Sequence, residues 1–385
     1  MEGMVSCALK SDKLVFYRHT ILMHKTLEGC MLDKLFWKGK KVLVTGHTGF
    51  KGSWLCEVLI NLGAEVTGFA KEPETTPNLY TLLNLEKKVH SVIGDITTPG
   101  LFSGTYNAVN PDILFHLAAQ PIVRKSYANP IETYNTNVMG TVNVLDAVRQ
   151  NPCSRSVVNV TTDKVYLNQE WPWGYRETDT LCGFDPYSNS KSCSELVTYS
   201  YINSFFGSED SPAISTARAG NVIGGGDFTE DRIIPDCVSA ARVGEPIVLR
   251  NPNSVRPYQH VLECISGYLL LAQKQYMDKR RYAGSYNFGP EQSDCITTGE
   301  LADLFCMEWG NGAHWISKGD DGPHEANYLK LDCSKAQKNL GWNPKWNIQK
   351  SISKTIDLYK AIIYNKDNIN SVMDKQISGY YKGDY

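Results

Sequence analysis

From Lys40 onward, short apolar runs alternate with stretches of helical spacing, and this alternation constrains the fold more than any other feature of the chain. The segments "KKVLVTG", "EVTGFA", "VHSVIGD", "DILFHLAA" and "SVVNVTT" read as strands. Helical segments lie between most of them. "WLCEVLINLGA" puts Leu55, Val58, Leu59 and Leu62 on one face, and "ETYNTNVMGTVNVLDAVRQN" is another such segment. Strands alternating with helices build βαβ units and a parallel sheet. The runs are apolar on both faces, as a sheet covered by helices on both sides requires. After about Gly220 the texture changes to loop-rich segments such as "RAGNVIGGGD", "RNPNSVRPYQHV" and "NFGPEQSD". The expectation is an α/β chain: a doubly wound parallel sheet with a smaller C-terminal substrate-binding lobe. Residues 1–36 read as an N-terminal extension and 37–220 as the sheet domain, completed by later segments. Residues 221–355 read as the interleaved lobe and 356–385 as a C-terminal helix and tail, polar and partly loose from Asn365.

The first strand runs into "VTGHTGFKGSW", which places Gly46, Gly49 and Gly52 in a GxxGxxG spacing ahead of the first helix. Glycine permits the tight turn and lets backbone approach a pyrophosphate, which the N–H groups of the helix start then bind. A lone glycine triad also fits an ordinary turn; between a strand and a helix it points to a Rossmann-type dinucleotide site. The loop residues His47, Thr48 and Phe50 are expected there too. Asp95 and Ile96 follow the third strand, with Asp95 a candidate for the adenine amine. Leu117, Ala118 and Ala119 end the fourth strand and are small enough to line the cleft. After the second strand the chain reads "TGFAKEPE". Lys71 there suits the 2′-phosphate of NADP, whereas Glu72 suits the ribose of NAD, so the residues leave that choice open.

Bulk properties narrow the function. Net charge is -2 over 385 residues, which argues against nucleic acid or an anionic membrane as partner. The 11 cysteines are scattered without any CxxC pair, so no metal site is expected, and a reduced cytoplasmic protein is the simpler account. No apolar run reaches the roughly 18–20 residues of a membrane span. The first 35 residues carry Lys10, Lys13, Arg18 and Lys25 among the apolar residues, unlike a secretory signal.

Two further groupings carry chemistry. Tyr187 and Lys191 in "DPYSNSKSCSELVTYSY" are four apart and share a helix face. A lysine one turn away lowers a phenol's pKa, so Tyr187 can take a proton from an alcohol while hydride leaves. Thr162, at the end of the fifth strand, can hydrogen-bond the same oxygen. Asp163 and Lys164 follow at once. They are either a solvated ion pair or an acid and a base aimed at one substrate. Neighbours on an extended strand point to opposite faces, so the second reading needs the chain to turn just after Thr162.

Glycine loop, Thr162, Tyr187 and Lys191 occur in the order and spacing of the extended short-chain dehydrogenase/reductases, which the chain resembles over roughly residues 37–350. Within that group, "HLAAQPIVRKSY", "TTDKVY", "YRETDTLCGFDPYSNSK", "RAGNVIGGGDFTEDRIIPD" and "LRNPNSVRPYQHVLECISGYLLLA" resemble the CDP-glucose 4,6-dehydratases. The resemblance implies NAD as cofactor, CDP-glucose as substrate, a homodimer or homotetramer, and a step in deoxysugar precursor synthesis. It implies oxidation at C4 with Tyr187 as base, elimination of water across C5 and C6, and hydride return to C6. Thr162, Asp163, Lys164, Tyr187 and Lys191 would carry the chemistry. Asn221 would meet the sugar-nucleotide pyrophosphate, and Arg232, Arg256 and His260 would complete the substrate site; His260 fits a core or helix-start position equally well. Trp171 and Trp173 suit loop packing better than stacking on a base. The competing readings are a nucleotide-sugar 4-epimerase, which has no use for the Asp163–Lys164 pair, and a non-catalytic dinucleotide-binding module, which typically loses the tyrosine or the lysine.

Overall fold

The structure is a computed structural model that describes residues 32–98, 100–319, 327–364 and 369–382. Among the described residues the central sheet has seven strands: β1 (Lys41–Thr45), β2 (Glu65–Ala70), β3 (His90–Ile93), β4 (Ile113–His116), β5 (Ser156–Val160), β6 (Ala213–Arg218) and β7 (Ser285–Asn287). Their spatial order is β3-β2-β1-β4-β5-β6-β7, and every pairing is parallel. The five strands read from sequence are β1 to β5. Strands β4 and β5 are buried at every position, which is why they read as mostly apolar runs without strict alternation. The order reverses between β1 and β4, and the carboxyl ends at such a reversal are where open α/β sheets hold ligands.

The helices that matter for the site are α1 (Phe50–Asn61), α2 (Gly140–Gln150), α3 (Pro186–Phe205), α4 (Ile233–Val243), α5 (Val261–Met277), α6 (Thr298–Trp309), α7 (Ile348–Tyr364) and α8 (Ile369–Lys382). Leu55, Val58, Leu59 and Leu62 are buried at the α1 face and its end, as their spacing predicts. The expected long helix around residues 130–150 is interrupted. A turn at Pro130–Tyr134 passes into a wider π-type turn, Asn135–Met139, before α2 begins. The widened turn buries Asn137, whose amide donates to Ser190 Oγ on α3 (2.8 Å) and accepts from the Gln120 backbone (2.8 Å).

A second core forms after β6. Ile234 and Val238 of α4, Leu301 and Phe305 of α6, and Ile352 and Ile356 of α7 pack together with Ile247 and Leu249. Helix α5 and strand β7 return to the sheet from within this stretch, so lobe and sheet are interleaved. Residues 1–31 of the expected extension lie outside the described residues. Residues 33–37 are built into the fold: Asp33 caps a helical turn at Lys34–Trp37, and buried Trp37 donates from Nε1 to Gln273 Oε1 of α5 (3.2 Å).

The expectation of a loose tail fails for α8. Ile369, Met373, Ile377 and Tyr380 are all buried, and Tyr380 donates its hydroxyl to Glu263 Oε2 on α5 (2.7 Å). Their spacing of four, four and three is a helical stripe; the polar residues between them hid it. Burial of an apolar side chain of this size contributes about 1.5–3 kcal/mol, enough to hold a short helix down.

Candidate active site

Strand β1 ends in a turn that only glycine can make. Gly46 has φ +76°, and a Cβ on it would lie 2.8 Å from the Ala118 nitrogen. A Cβ on Gly52 would lie 2.1 Å from the Gly46 oxygen. The turn therefore lies flat against the end of β4, with α1 starting directly behind it. Thr48, Gly49, Phe50 and Gly52 line one end of a cleft of about 500 Å³, joined by Asp95, Ile96, Leu117, Ala118 and Ala119. His47 does not line it. Its ring packs under the turn against Gly68 and hydrogen-bonds Ser91 Oγ (2.7 Å) from Nε2. Burial lowers its pKa to about 4, which favours the neutral ring. Lys71 and Asp95 form an ion pair at this end (2.9 Å). Burial alone would raise the Asp95 carboxyl, but hydrogen bonds from Thr97 and the Lys71 ammonium leave it below its ordinary value.

The middle of the cleft holds Tyr187 and Lys191 on the first turns of α3. That helix starts at Pro186 with Asp185 as cap, accepting from the Ser188 N–H (3.0 Å), so the motif's own proline and aspartate fix where it begins. Both functional side chains are buried. Burial raises the Tyr187 phenol to about 12, while a hydrogen bond with Thr162 works the other way. Burial, then the nearby Lys51 charge, lowers Lys191 to about 8. Lys191 Nζ donates to the Val160 carbonyl at the end of β5 (3.1 Å), which aims it along the strand.

The chain does turn after Thr162. Asp163–Val165 is a single 3₁₀ turn capped by the Thr162 hydroxyl, which accepts from the Lys164 N–H (3.4 Å). Asp163 and Lys164 consequently both line the cleft alongside Tyr187. Asp163 is buried. Its Oδ1 accepts from Thr162 Oγ1 (2.9 Å) and its Oδ2 from Asn221 Nδ2 (3.2 Å). This is not a solvated surface pair: the aspartate is held on two sides and the lysine projects from the same turn.

At the far end, Asn221, Arg232 and Arg256 line the cleft. Asn221 sits at φ +44° three residues past the β6 end, with its amide turned to Asp163. Arg232 Nη1 pairs with Asp227 Oδ2 (2.9 Å), and Arg256 Nη1 donates to the Val255 carbonyl (3.0 Å). His260 is absent from the cleft lining, which corrects its expected place in the substrate site. It caps α5, accepting from the Leu262 N–H (3.3 Å), and is fully buried between Trp54 and Trp346. Burial lowers its pKa to about 3. Trp171 stacks on Tyr175 and leans on Trp173, in a loop apart from the residues that line the cleft.

A sequence model of the family described as GDP-mannose 4,6 dehydratase matches residues 43–355. The chain belongs to that family. Among curated dehydratases, the CDP-glucose 4,6-dehydratase of Salmonella typhimurium is 46% identical over 354 residues, covering 91% of this chain and 98% of the relative. The dTDP-glucose 4,6-dehydratase of Streptomyces antibioticus is 30% identical over 333 residues, covering 83% and 92%. In three dimensions the chain resembles the UDP-glucose 4-epimerase of Thermotoga maritima, with TM-score 0.73 and 20% identity over 84% of this chain and 99% of that one. A UDP-glucose 4-epimerase from Thermus thermophilus gives 0.72 and 23%, over 84% and 99%. These two share the fold.

Two residues of this dehydratase cleft escaped the sequence reading. Gly220 passes so close to Asp163 that a Cβ there would lie 1.8 Å from Oδ2; nothing local in "RAGN" signals it. Lys51 sits inside the glycine motif and lines the cleft. The pattern of glycines drew attention away from the cation between them.

Proposed function

We propose that this chain is an NAD-dependent CDP-glucose 4,6-dehydratase. The observation that carries the reading is the turn after Thr162, which presents Asp163 and Lys164 to the same cleft as Tyr187 and Lys191. An epimerase needs the second pair alone. The choice of CDP-glucose rests on the 46% identity to the Salmonella enzyme.

The residues present fit NAD. The glycine turn lies too close to its neighbours for any Cβ at Gly46 or Gly52 and leaves Thr48, Gly49 and Phe50 on the cleft wall, where helix-start N–H groups can hold a pyrophosphate. Asp95, Ile96 and Leu117–Ala119 would flank the adenosine half, with Tyr187 and Lys191 at the reacting half. Lys71 is already paired with Asp95, and Glu72 and Glu74 also line this end, so a 2′-phosphate would meet net negative charge. When bound, NAD takes a hydride from C4 and returns one at C6.

Tyr187 accepts the C4 hydroxyl proton, and the Lys191 ammonium favours the phenolate. The 4-ketone acidifies C5, from which Lys164 removes a proton. Asp163 protonates the departing C6 oxygen, which leaves as water. Lys164 then returns its proton to C5. Over one cycle Tyr187 has gained a proton and Asp163 has lost one. Thr162, hydrogen-bonded to both, lies on the path that resets them. Asn221, Arg232 and Arg256 would hold the pyrophosphate, guanidinium forks being suited to phosphate oxygens.

The reading includes a homodimer in the cytoplasm. Exposed Leu196 and Tyr199 on α3 and Met139 beside α2 give those helices an apolar outer face, and the cysteines among the described residues are free. Sedimentation of the pure chain tests the assembly. The activity is tested by incubating the protein and NAD with CDP-, dTDP-, GDP- and UDP-glucose and following loss of water by mass. Turnover of CDP-glucose is expected; turnover of dTDP-glucose alone would overturn the assignment.

A further inference from the structure

The mechanism above makes no use of an ion pair buried behind the cleft. Glu195 of α3 and Arg218, the last residue of β6, each expose only 2% of their side chains. Arg218 meets the carboxylate with two prongs, Nε to Oε1 and Nη2 to Oε2, both at 2.9 Å. Desolvating two charges largely offsets their attraction, so apolar packing would hold α3 to the sheet about as well. What such a pair adds is direction, because each partner keeps further hydrogen-bonding groups aimed at fixed places.

Those groups reach the two ends of one turn. Glu195 accepts from the Thr161 hydroxyl (2.5 Å), and from Thr216 on β6 (2.7 Å). Arg218 donates from Nη1 to the Tyr166 hydroxyl (2.8 Å), which donates in turn to Asn287 Oδ1 of β7 (2.6 Å). Thr161 and Tyr166 stand on either side of Thr162 and the 3₁₀ turn Asp163–Val165. Ser192 of α3 adds a third hold, donating to the Val165 carbonyl (2.7 Å). Glu195 comes four residues after Lys191 and eight after Tyr187, so the three side chains follow one another on successive turns of α3. Lys191 binds the Val160 carbonyl (3.1 Å) and Glu195 binds Thr161, successive residues of the strand end. The oxidation pair rides on the helix and the elimination pair on the turn, and these contacts set one against the other.

Resting on the dehydratase reading above, we propose that Glu195 and Arg218 are positioning residues for elimination. Through Thr161 and Tyr166 they clamp both ends of the turn, and so aim Asp163 and Lys164 at the sugar that Tyr187 has oxidised. Glu195, Arg218 and Tyr166 do not line the cleft, so they act on the chemistry only through the turn.

Truncating either charge leaves the other bare and buried, which endangers folding, so the test uses milder changes. Tyr166→Phe cuts the tie at one end of the turn while keeping the ion pair and the stacking of its ring on Tyr175. Arg218→Lys keeps a charge opposite Glu195 but lacks the fork that also reaches Tyr166. Tyr106→Phe is the control: it removes another buried hydroxyl, bonded to Ser154 Oγ (2.9 Å), from a residue outside the cleft lining. In single turnovers of CDP-glucose with NAD on the full chain, reduced nicotinamide is followed by absorbance and water loss by mass, with thermal melts on each variant. Tyr166→Phe and Arg218→Lys should oxidise C4 at near the wild-type rate and lose water about ten- to a hundredfold more slowly, so that reduced nicotinamide persists. Tyr106→Phe should melt earlier and keep the wild-type ratio of the two rates. An unchanged ratio in Tyr166→Phe overturns the proposal. So does a parallel fall of both rates, or a ratio that shifts equally in the control, since either is what lost stability alone would give. If the wild type removes no water from CDP-glucose, the dehydratase reading falls and this inference with it. Failure confined to the variants leaves that reading standing.

Discussion

Gly220→Ala isolates the proposed acid without touching it. A Cβ on Gly220 would sit 1.8 Å from Asp163 Oδ2 and 1.9 Å from its Cγ. Ordinary contact begins near 3.4 Å, so the carboxylate must retreat by 3.4 − 1.8 = 1.6 Å. Gly220 does not use the left-handed backbone region, so alanine adds no strain of its own. The whole effect falls on Asp163, whose bonds from Thr162 Oγ1 (2.9 Å) and Asn221 Nδ2 (3.2 Å) cannot both survive such a shift. Losing one such bond should cost about 1–3 kcal/mol of stability, a visible but tolerable drop in melting temperature. The catalytic effect is larger. An acid displaced by more than an ångström loses its reach to the C6 oxygen, and dehydration should slow by roughly 10²–10⁴-fold. Tyr187 and Lys191 are untouched, so C4 oxidation should proceed. In a single-turnover experiment with CDP-glucose, reduced nicotinamide should appear at the wild-type rate by absorbance and persist. Loss of water, followed by mass on quenched samples, should lag far behind it. If a folded Gly220→Ala protein loses water at the wild-type rate, Asp163 is not the acid that the geometry makes it.

Other expectations follow from the same site. Lys164→Met should also oxidise C4 and stall before elimination, slowing water loss roughly 10²–10⁴-fold while reduced nicotinamide accumulates; normal dehydration would exclude Lys164 from proton transfer. Asp95→Ala removes the partner of Lys71 and should shift binding toward NADP by about tenfold relative to NAD in calorimetric titrations; an unchanged preference would mean that Lys71 does not reach a 2′-phosphate. Buried His47, His116 and His260 have pKa values lowered from 6.5 to about 4, 3 and 3, because burial disfavours their charged forms. Groups with depressed values stabilise the fold above the unfolded value of 6.5, and that contribution is lost as pH falls toward 4 and 3. Glu263, raised by burial to about 7, works with the opposite sign: its contribution is complete below 4.5 and lost as pH rises through about 7. Melting temperature should therefore drop on the acid side, and His260→Gln should shallow that drop; an identical acid limb in the variant would remove His260 from the account.

The sheet was legible because its strands are buried on both faces. Each position of β4 and β5 had to be apolar or internally bonded, and composition alone shows such runs. The helix α8 was not, because it buries one narrow stripe and leaves a polar surface that reads as tail. The direction of the His47 ring, and the choice left open for His260 between substrate site and core, stayed hidden for a related reason. A histidine beside a motif can turn outward to a ligand or inward to the core, and the backbone path that decides between them is not local. For His47 the deciding residue is Gly68, whose missing side chain makes room for the ring. For His260 it is the two tryptophans, Trp54 from α1 and Trp346 from the segment before α7.

The pair Asp163 and Lys164 shows what local sequence can and cannot specify. Adjacency made the two residues visible as a possible acid and base, and Thr162 before them supplied the cap that turns the chain, so one 3₁₀ turn brings both to the cleft. What makes Asp163 more than an exposed carboxylate comes from β6 onward. Gly220 gives it room, and Asn221 supplies the second hydrogen bond. Parallel neighbours β5 and β6 end at the same level, so the segments that follow them meet above the sheet edge although a long helix, α3, separates them in the chain. A parallel sheet builds its sites from several carboxyl ends at once. A reading taken along one strand finds the reacting groups, and the residues that hold them stay hidden until the strand order is known.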